Sequence, residues 1–359
     1  MIKLTINCIY IVIFGSLLLV VTSCMNDDEW IKRNEGGTIP ATGVFVINEG
    51  NFMDGNSSLS FYDPATRKVE NDLFYNTNGL PLGDVAQSMV IFENQGFIVI
   101  NNSGKIWVID TSNGNYVGKI TGLTSPRYIH FMNREKAYVT DLYAGKITIV
   151  NPKTFQITGV IPTTGHASTE QMVQWTDYLF VSCWSFDNTI LVIDTRTDAV
   201  VGEIKTGKQP AGLVLDKNNK IWTLCDGGWS KNGTSARVPM LQQIDPATRT
   251  IEKSFSLSAD AKPSRLAING TRDTLLFIND GIWKISVNQT TMSDRPFMST
   301  ANHLYYSLAI DPHTSELYLS DAIDYRQRGV IYRYTSQGAR IDSFKTGITP
   351  GAFCFKGDH

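Results

Sequence analysis

Aromatic, amide and arginine side chains recur where loops join short apolar segments of the chain. Such a set offers ring faces for stacking and hydrogen-bonding groups for orientation, which suits a sizeable, partly flat organic ligand. The alternative, for any single aromatic residue, is packing inside the protein. The candidate ligand-binding residues are Asn51, Phe52, Gln87, Arg127, Tyr143, Gln171, Trp184, Phe186, Trp229, Arg265, Tyr305 and Tyr325.

Residue patterns typical of catalysis are absent from the sequence. The five histidines are scattered without an HxxxH pair, and there is no GxSxG, phosphate-binding glycine loop or EF-hand pattern. Acidic residues in the same loops could hold a metal ion, but Asp is also common in turns, which is the interpretation we favour. The sequence therefore predicts no catalytic residue, no metal site and no cofactor, and it favours a binding protein over an enzyme.

The cysteines do not indicate a disulfide framework. Cys183, Cys225 and Cys354 lie in or at the ends of apolar segments without CxxC spacing. Cys183 and Cys225 hold equivalent positions in neighbouring repeats, which we expect to be too far apart to bridge. We predict that all three are buried free thiols that act as small hydrophobic residues.

The elements that must position the candidate residues follow a four-strand repeat. In residues 125–161, strands are predicted at 127–132, 137–141, 146–150 and 155–161. Their β-branched and aromatic residues are bounded by Asn, Gly and Pro, which is typical of short strands separated by turns. The Asn-Pro pair at 151–152 predicts the last turn.

The turn after the third strand recurs seven times along the chain. A period of 41 to 51 residues with four strands per unit indicates a β-propeller. The chain opens on a second strand at 44–48 and closes on a first strand at 351–355, so we expect these two to share a blade. The prediction is an all-β, seven-bladed propeller over residues 43–359, with four-stranded blades. The first turn residues are Asp63, Asp110, Asn151, Asp194, Asp245, Ser286 and Tyr334.

This connectivity predicts which loops meet. In an antiparallel meander, the loops from second to third strand and from fourth to first strand lie at one end, which we call the mouth. The mouth loops are long and rich in aromatic residues, whereas the loops at the other end are short and polar. Because loops on a rigid scaffold commonly carry function, we expect the candidate residues to form a ligand site there.

The first 23 residues read as a secretory signal, with Lys3 as their one charged residue and an apolar run at 9–21. Val21-Thr22-Ser23-Cys24 resembles the lipobox of bacterial lipoproteins, which implies that Cys24 is acylated. The alternative is an ordinary signal with an incidental cysteine. If Cys24 is acylated, residues 24–42 are the lipidated N-terminus and a flexible linker.

The segment after Cys24, Met-Asn-Asp-Asp-Glu, resembles the acidic export signal that sends Bacteroidetes lipoproteins to the outer face of the outer membrane. The alternative is a solvated tether.

The mature chain carries a small negative net charge. Of 32 basic and 34 acidic residues, only Lys3 lies in the signal, so 31 basic residues remain beside 34 acidic ones and the net charge is about −3. This balance favours neither nucleic acid nor an anionic membrane surface as a partner.

The VIDTxTxxV repeats and interleaved FVxN strands resemble YncE-like seven-bladed propellers across the mature chain. The opening GVFVINEGNF, the LGDVAQSM segment (82–89) and the lipobox with its acidic tail are similar to the BtuG family of Bacteroidetes surface lipoproteins. That resemblance implies capture of cobalamin, as cargo rather than cofactor, and its delivery to the TonB-dependent transporter BtuB.

Two other classes of function stay open. A propeller lactonase or lyase would need acidic or histidine residues that converge in the central channel. A glycan-binding or scaffolding lipoprotein would show a flatter, exposed aromatic platform.

Overall fold

The structure of the chain is a computed structural model that describes residues 37–228, 237–300 and 303–357. In this part of the chain, 27 strands form seven antiparallel sheets, and each sheet is one blade of a propeller. The predicted all-β, seven-bladed architecture is confirmed. The predicted signal peptide, Cys24 and the first part of the predicted linker lie outside the described residues.

The blades are numbered I to VII. Blades I to III contain β1 (Gly43–Asn48), β2 (Ser58–Asp63), β3 (Lys68–Glu70), β4 (Ala86–Phe92), β5 (Gln95–Ile100), β6 (Lys105–Asp110), β7 (Tyr116–Ile120), β8 (Pro126–Asn133), β9 (Lys136–Asp141), β10 (Lys146–Asn151) and β11 (Gln156–Pro162). A short helix, α1 (Leu73–Asn78), lies between β3 and β4.

Blades IV to VII contain β12 (Met172–Trp175), β13 (Tyr178–Cys183), β14 (Thr189–Asp194), β15 (Ala199–Lys205), β16 (Pro210–Leu215), β17 (Ile221–Cys225), β18 (Met240–Asp245), β19 (Thr250–Ser256), β20 (Ser264–Ile268), β21 (Thr274–Ile278), β22 (Ile282–Ser286), β23 (Tyr305–Ile310), β24 (Leu317–Asp321), β25 (Arg328–Tyr334) and β26 (Arg340–Ile348). The last strand, β27 (Pro350–Lys356), returns to blade I.

Strand β27 is the inner strand of blade I and closes the ring. It pairs antiparallel with β1, from Gly43 opposite Lys356 to Asn48 opposite Pro350. The partly buried rings of Phe353 and Phe355 pack against Tyr318 of blade VII, with centroids 6.0 and 5.3 Å away. The closure predicted from the sequence is therefore confirmed, and the inner edge of β1 is paired.

The turn after the third strand is held by the side chain that the repeat identifies. In five blades, its Oδ1 atom accepts a hydrogen bond from the backbone N–H two residues later, at 2.7–2.9 Å. The five residues are Asp63, Asp110, Asn151, Asp194 and Asp245. In blade VII the Thr335 hydroxyl accepts instead, from Gln337 N at 3.3 Å. The equivalent residue is thus Thr335 rather than Tyr334, one position later than the repeat predicted.

Blade VI has three strands within the described residues, where the sequence repeat predicted four. The segment after β22 pairs with the outer edge of blade VI only through a single β-bridge, between Ile282 and Met298. This segment, 287–300, is mostly polar and contains Pro296, which has no N–H to donate to a ladder. A regular fourth strand is therefore replaced by one short contact.

The second strand of each blade lies in the apolar layers between neighbouring blades. Strands β1, β9 and β17, for example, are buried over nearly their whole length. The three cysteines Cys183, Cys225 and Cys354 are buried and free, as predicted. None of the helices in the described part of the chain combines the length and apolar character that a membrane crossing requires.

The packed part of the chain begins before β1. Ile39 is buried, and its backbone N–H donates to Ser112 O of blade II at 2.7 Å. Lys356 Nζ donates to the Ile39 carbonyl at 3.3 Å. The end of the predicted linker is therefore fixed against the propeller, at the end opposite to the mouth.

Candidate functional site

Inner strands of six blades begin with an irregular register at the mouth. A β-bulge leaves one residue or two outside the ladder and changes the direction of the side chain. The residues outside the ladder include Gln87, Arg127, Ala211, Arg265, Tyr306 and Gly351. All of these except Gly351 line one cavity, so the bulges direct side chains into the channel.

The cavity lies at the mouth end of the channel and has a volume of about 480 Å³. Its wall combines inner-strand residues with residues of the mouth loops. Ionisable, amide and aromatic groups of the wall are Glu49, Gln87, Arg127, Tyr128, Glu170, Gln171, Trp184, Asp226, Lys262, Arg265, Tyr305, Tyr306 and Tyr325.

A buried ion pair connects blades III and IV. Arg127 Nε donates to Glu170 Oε1 at 2.8 Å, and Arg127 Nη1 also donates to the side-chain carbonyl of Gln87 in blade II. Burial raises the pKa of Glu170, and the attraction of Arg127 opposes that rise. Burial lowers the pKa of Arg127, but its attraction to Glu170 more than compensates, so the guanidinium stays charged.

A second pair connects blades I, VI and VII. Arg265 Nη2 lies 3.5 Å from Glu49 Oε1, and the guanidinium lies 5.0 Å from the centroid of the Tyr306 ring. The Tyr306 hydroxyl donates to Glu49 Oε2 at 2.7 Å. Burial and the Glu49 charge raise the pKa of Tyr306, which keeps its hydroxyl protonated. Gly351 is required beside this pair, because a Cβ atom there would collide with the Glu49 carboxylate.

Trp184 is held at the cavity wall by Asp226. Its indole Nε1 donates to Asp226 Oδ2 at 2.8 Å, and Gly228 N donates to Asp226 Oδ1 at 2.7 Å. Burial raises the pKa of Asp226, while these hydrogen bonds act in the opposite direction. The indole ring therefore has a fixed orientation before any ligand arrives.

The structure brings seven of the twelve candidate residues together at the cavity: Gln87, Arg127, Gln171, Trp184, Arg265, Tyr305 and Tyr325. Gln171 Oε1 accepts from Leu213 N at 2.9 Å. Tyr305 is mostly buried between blades VI and VII, where its hydroxyl is 2.9 Å from that of Tyr334. The neighbouring Tyr306, at the bulge, also lines the cavity.

Four other candidate residues lie on the rim of the mouth, outside the cavity. The side chains of Phe52, Tyr143 and Phe186 are 69%, 69% and 75% exposed. The Asn51 amide donates to the Tyr325 carbonyl and accepts from Asn56, so it joins two rim loops to each other. Trp229, the twelfth candidate, lies outside the described residues.

The cavity wall also contains groups that are not among the candidate residues: Glu49, Tyr128, Glu170, Asp226, Lys262 and Tyr306. Three of them directly adjoin candidate residues along the chain, so the strand start was located correctly. A sequence feature that could have identified more of them is the alternation of side chains along each strand, which places every second residue on the same face until a bulge interrupts it.

The aspartates at the mouth end of strands accept backbone hydrogen bonds, as the turn interpretation predicted. Asp141, for example, accepts from Ser125 N and Tyr143 N.

The cavity is close to electrically neutral. Its three cationic side chains, Arg127, Arg265 and Lys262, are balanced by Glu49, Glu170 and Asp226. Both arginines are paired with carboxylates, whereas Lys262 makes no ion pair within 37–228, 237–300 and 303–357. The wall can thus offer amide and hydroxyl groups, aromatic faces and a single cation to a ligand.

Comparison with solved structures supports the propeller fold. A quinonprotein alcohol dehydrogenase-like protein from Bacteroides thetaiotaomicron aligns with a TM-score of 0.67 at 14% identity, over 89% of this chain and 79% of that chain. The periplasmic gluconolactonase of Pseudomonas aeruginosa aligns with a TM-score of 0.64 at 12% identity, over 88% and 99%. A streptogramin B lyase aligns with a TM-score of 0.57 at 15% identity, over 72% and 82%. At these identities the likeness shows the fold alone.

Sequence comparison identifies relatives of the chain. The YncE proteins of Salmonella typhi and Salmonella typhimurium are each 31% identical over 64 residues, which is 18% of this chain and 18% of theirs. The expected resemblance to YncE-like proteins is confirmed over those 64 residues, whereas the resemblance to the BtuG family stays a prediction. A family model described as a domain of unknown function, DUF5074, matches residues 42–347, nearly the whole propeller. The chain belongs to the DUF5074 family.

Proposed function

We propose that the mouth binds cobalamin or a related corrinoid and passes it to a TonB-dependent outer-membrane transporter of the BtuB type. The observation that carries this proposal is a cavity whose arginines are already paired, while amide N–H groups and aromatic faces remain for a ligand. A corrinoid is a broad, nearly neutral ring with several amide arms. The amide arms can accept hydrogen bonds from the Gln87 and Gln171 side-chain N–H groups and donate one to the Tyr306 hydroxyl oxygen. These groups suit a neutral polar ligand better than a highly charged one.

The charge of the cavity argues against polyanionic ligands. Arg127 and Arg265 are held by Glu170 and Glu49, so a ligand carboxylate or phosphate would have to displace a buried partner. Lys262 is the exception, since it has no such partner within the described residues. One cation suits the single phosphodiester of the nucleotide arm of cobalamin.

The size of the site also fits a ligand that is only partly enclosed. A corrinoid is larger than a cavity of about 480 Å³, so its ring would extend over the rim while one edge enters the cavity. Phe52, Tyr143 and Phe186 are exposed on that rim, where a broad ring could cover them. Large exposed aromatic residues in one region commonly mark an interaction site.

Delivery to a transporter requires the protein to be on the outer membrane. Acylation of Cys24 and the acidic residues 27–29 would place it there, facing the cell exterior. Binding and transfer need no nucleophile or general base, which agrees with the interpretation of the protein as a carrier rather than an enzyme.

The test is calorimetric titration of the purified protein with cyanocobalamin, together with its thermal unfolding at each ligand concentration. We expect saturable binding with one ligand per chain and a rise in the unfolding temperature. Trp184→Ala should weaken binding at least tenfold, because a central aromatic contact commonly contributes about 2 kcal/mol. Ile157→Ala, which removes an exposed apolar side chain of β11 at the end away from the mouth, is the matched control and should bind like the wild type.

Two results would contradict the proposal. No heat and no thermal shift at millimolar cyanocobalamin would exclude the vitamin as ligand. Unchanged affinity after Trp184→Ala, Phe186→Ala and Trp229→Ala, singly and together, would place the vitamin at another surface.

A glycan is the second candidate ligand, favoured by the exposure of Phe52, Tyr143 and Phe186. Aromatic rings on an open rim can stack on sugar faces without a deep cavity. In that case oligosaccharides would bind, Phe186→Ala would weaken them, and Gln87→Ala inside the cavity would leave their affinity unchanged. A genomic neighbourhood of polysaccharide-degrading genes, rather than a cobalamin transporter gene, would favour this candidate.

A further inference from the structure

A second cluster of chemically capable side chains lies outside the cavity wall, within blade IV. His166, Cys183 and Asp187 each offer one ligand-type atom, and these three atoms lie within 4.8 Å of one another. Cys183 is fully buried at the end of β13, and His166 is only 9% exposed in the loop before β12. Asp187 lies in the loop between β13 and β14, and its side chain is largely buried.

The two ring nitrogens of His166 have different partners. Nδ1 lies 2.7 Å from Asp187 Oδ2, within the cluster, and Nε2 lies 3.3 Å from Glu203 Oε1 on β15. A histidine that binds a metal through one nitrogen typically donates its other N–H to a carboxylate, which orients the ring. Glu203 is in position to be that carboxylate.

We propose that His166 Nδ1, Cys183 Sγ and Asp187 bind a Zn²⁺ ion, with Glu203 orienting the His166 ring. A set of nitrogen, sulfur and oxygen ligands suits Zn²⁺, whereas Ca²⁺ and Mg²⁺ require oxygen atoms. Bonds of about 2.0–2.3 Å place tetrahedral zinc ligands about 3.3–3.8 Å apart. The cluster spans that range, so small side-chain rotations admit the ion and separate Asp187 from Nδ1.

Metal binding converts the Cys183 thiol to a thiolate and releases one proton to solvent. Three protein ligands leave the fourth tetrahedral position for water. Two segments would be fixed by the ion. The loop of His166 continues to Glu170 of the cavity, and Trp184 and Phe186 lie between Cys183 and Asp187 in the chain. The ion would therefore stabilise the part of the mouth formed by blade IV.

The chain supplies a matched control for this site. Cys225 ends β17, the strand equivalent to β13 in the next blade, and it is also fully buried. Its thiol donates to the side-chain carbonyl of Gln242 at 3.7 Å, and among the described residues it belongs to no cluster of metal-ligating side chains. Replacing Cys225 thus tests the loss of a buried thiol without the loss of a proposed ligand.

The experiment uses the purified full chain without an affinity tag, treated with a chelator and then dialysed against Zn²⁺ or Co²⁺. Elemental analysis should give one ion per chain, and Co²⁺ should produce a near-ultraviolet thiolate charge-transfer band. Cys183→Ser should abolish the band, while Cys225→Ser should retain it. Glu203→Gln, a change on a partly exposed side chain, should weaken metal affinity about 10- to 100-fold.

Three results would overturn the proposal. The first is less than half an ion per chain at micromolar free Zn²⁺. The second is a Co²⁺ complex of the wild type without the thiolate band, which needs no variant to interpret. The third is equal metal affinity in Glu203→Gln and the wild type, which applies even if Cys183→Ser fails to fold.

Discussion

Arg127 and Glu170 form a 2.8 Å ion pair in the channel, and their side chains are only 17% and 5% exposed. Arg127 belongs to the inner strand of blade III, and Glu170 lies two residues before the inner strand of blade IV. The pair therefore joins two blades at the cavity wall. Neither charge has access to enough water to compensate for the loss of its partner.

Replacing Glu170 should destabilise the propeller. Glu170→Ala leaves Arg127 buried and unpaired, so we expect the free energy of unfolding to fall by about 3–5 kcal/mol. Urea denaturation, followed by tryptophan fluorescence, measures this change. Glu93→Ala is the control, because Glu93 pairs with Arg134 at the surface and its loss should change stability little. Equal stability of the two variants would show that the channel pair makes no structural contribution.

Tyr62 should make stability sensitive to alkaline pH. Burial and the hydrogen bond to Asp342 raise its pKa to about 12. Because the pKa in the folded state is above the ordinary value of 10.0, its contribution is complete below pH 10 and is lost as the pH rises towards 12. The free energy of unfolding of Tyr62→Phe should therefore fall less steeply over this interval than that of the wild type. Identical slopes would show that Tyr62 does not titrate differently in the two states.

Removing the last strand should open the ring. A chain truncated after Thr349 lacks β27, exposes the inner edge of β1 and removes the packing of Phe353 and Phe355 on Tyr318. We expect a marked fall in the unfolding temperature, together with aggregation through the unpaired edge. Calorimetry of the truncated and complete chains compares them directly. A truncated chain that unfolds at the same temperature as the complete one would contradict closure through β27.

Replacing Cys24 should release the protein from the membrane. If the cysteine is acylated, Cys24→Ala should move the protein from the membrane fraction to the soluble fraction in cell fractionation. Protease and antibody added to intact cells test the orientation of the wild type. Resistance to protease together with failure of antibody binding would contradict display on the cell surface.

Regular features of this fold could be predicted from the sequence because each one is local. Asp63 and Asp245 hold their turns through contacts with residues two positions away, so the same pattern recurs in every clear repeat. Blade VI departs from the prediction where Pro296 and polar neighbours replace a fourth strand. The sequence therefore predicts where the turns lie, but it indicates less clearly that a strand between two turns is missing.

The cavity could be predicted only in part, because its geometry depends on bulges and on contacts between blades. One extra residue in β23 places Tyr306 outside the ladder, beside Tyr305 at the cavity. The pairing of Arg265 with Glu49 joins residues 216 positions apart in the chain. Loop position indicated the correct end of the molecule, but these long-range contacts carry no local signal.

The pairing of Gly43 with Lys356 places the start of the first strand beside the end of the last one, at the end of the propeller away from the mouth. A tether attached before β1 would therefore join the propeller at the end away from the cavity. The same arrangement means that a short peptide could join these two ends without crossing the ligand site. New ends could then be opened in an exposed turn, and a circularly permuted propeller could be attached to a support at a chosen blade.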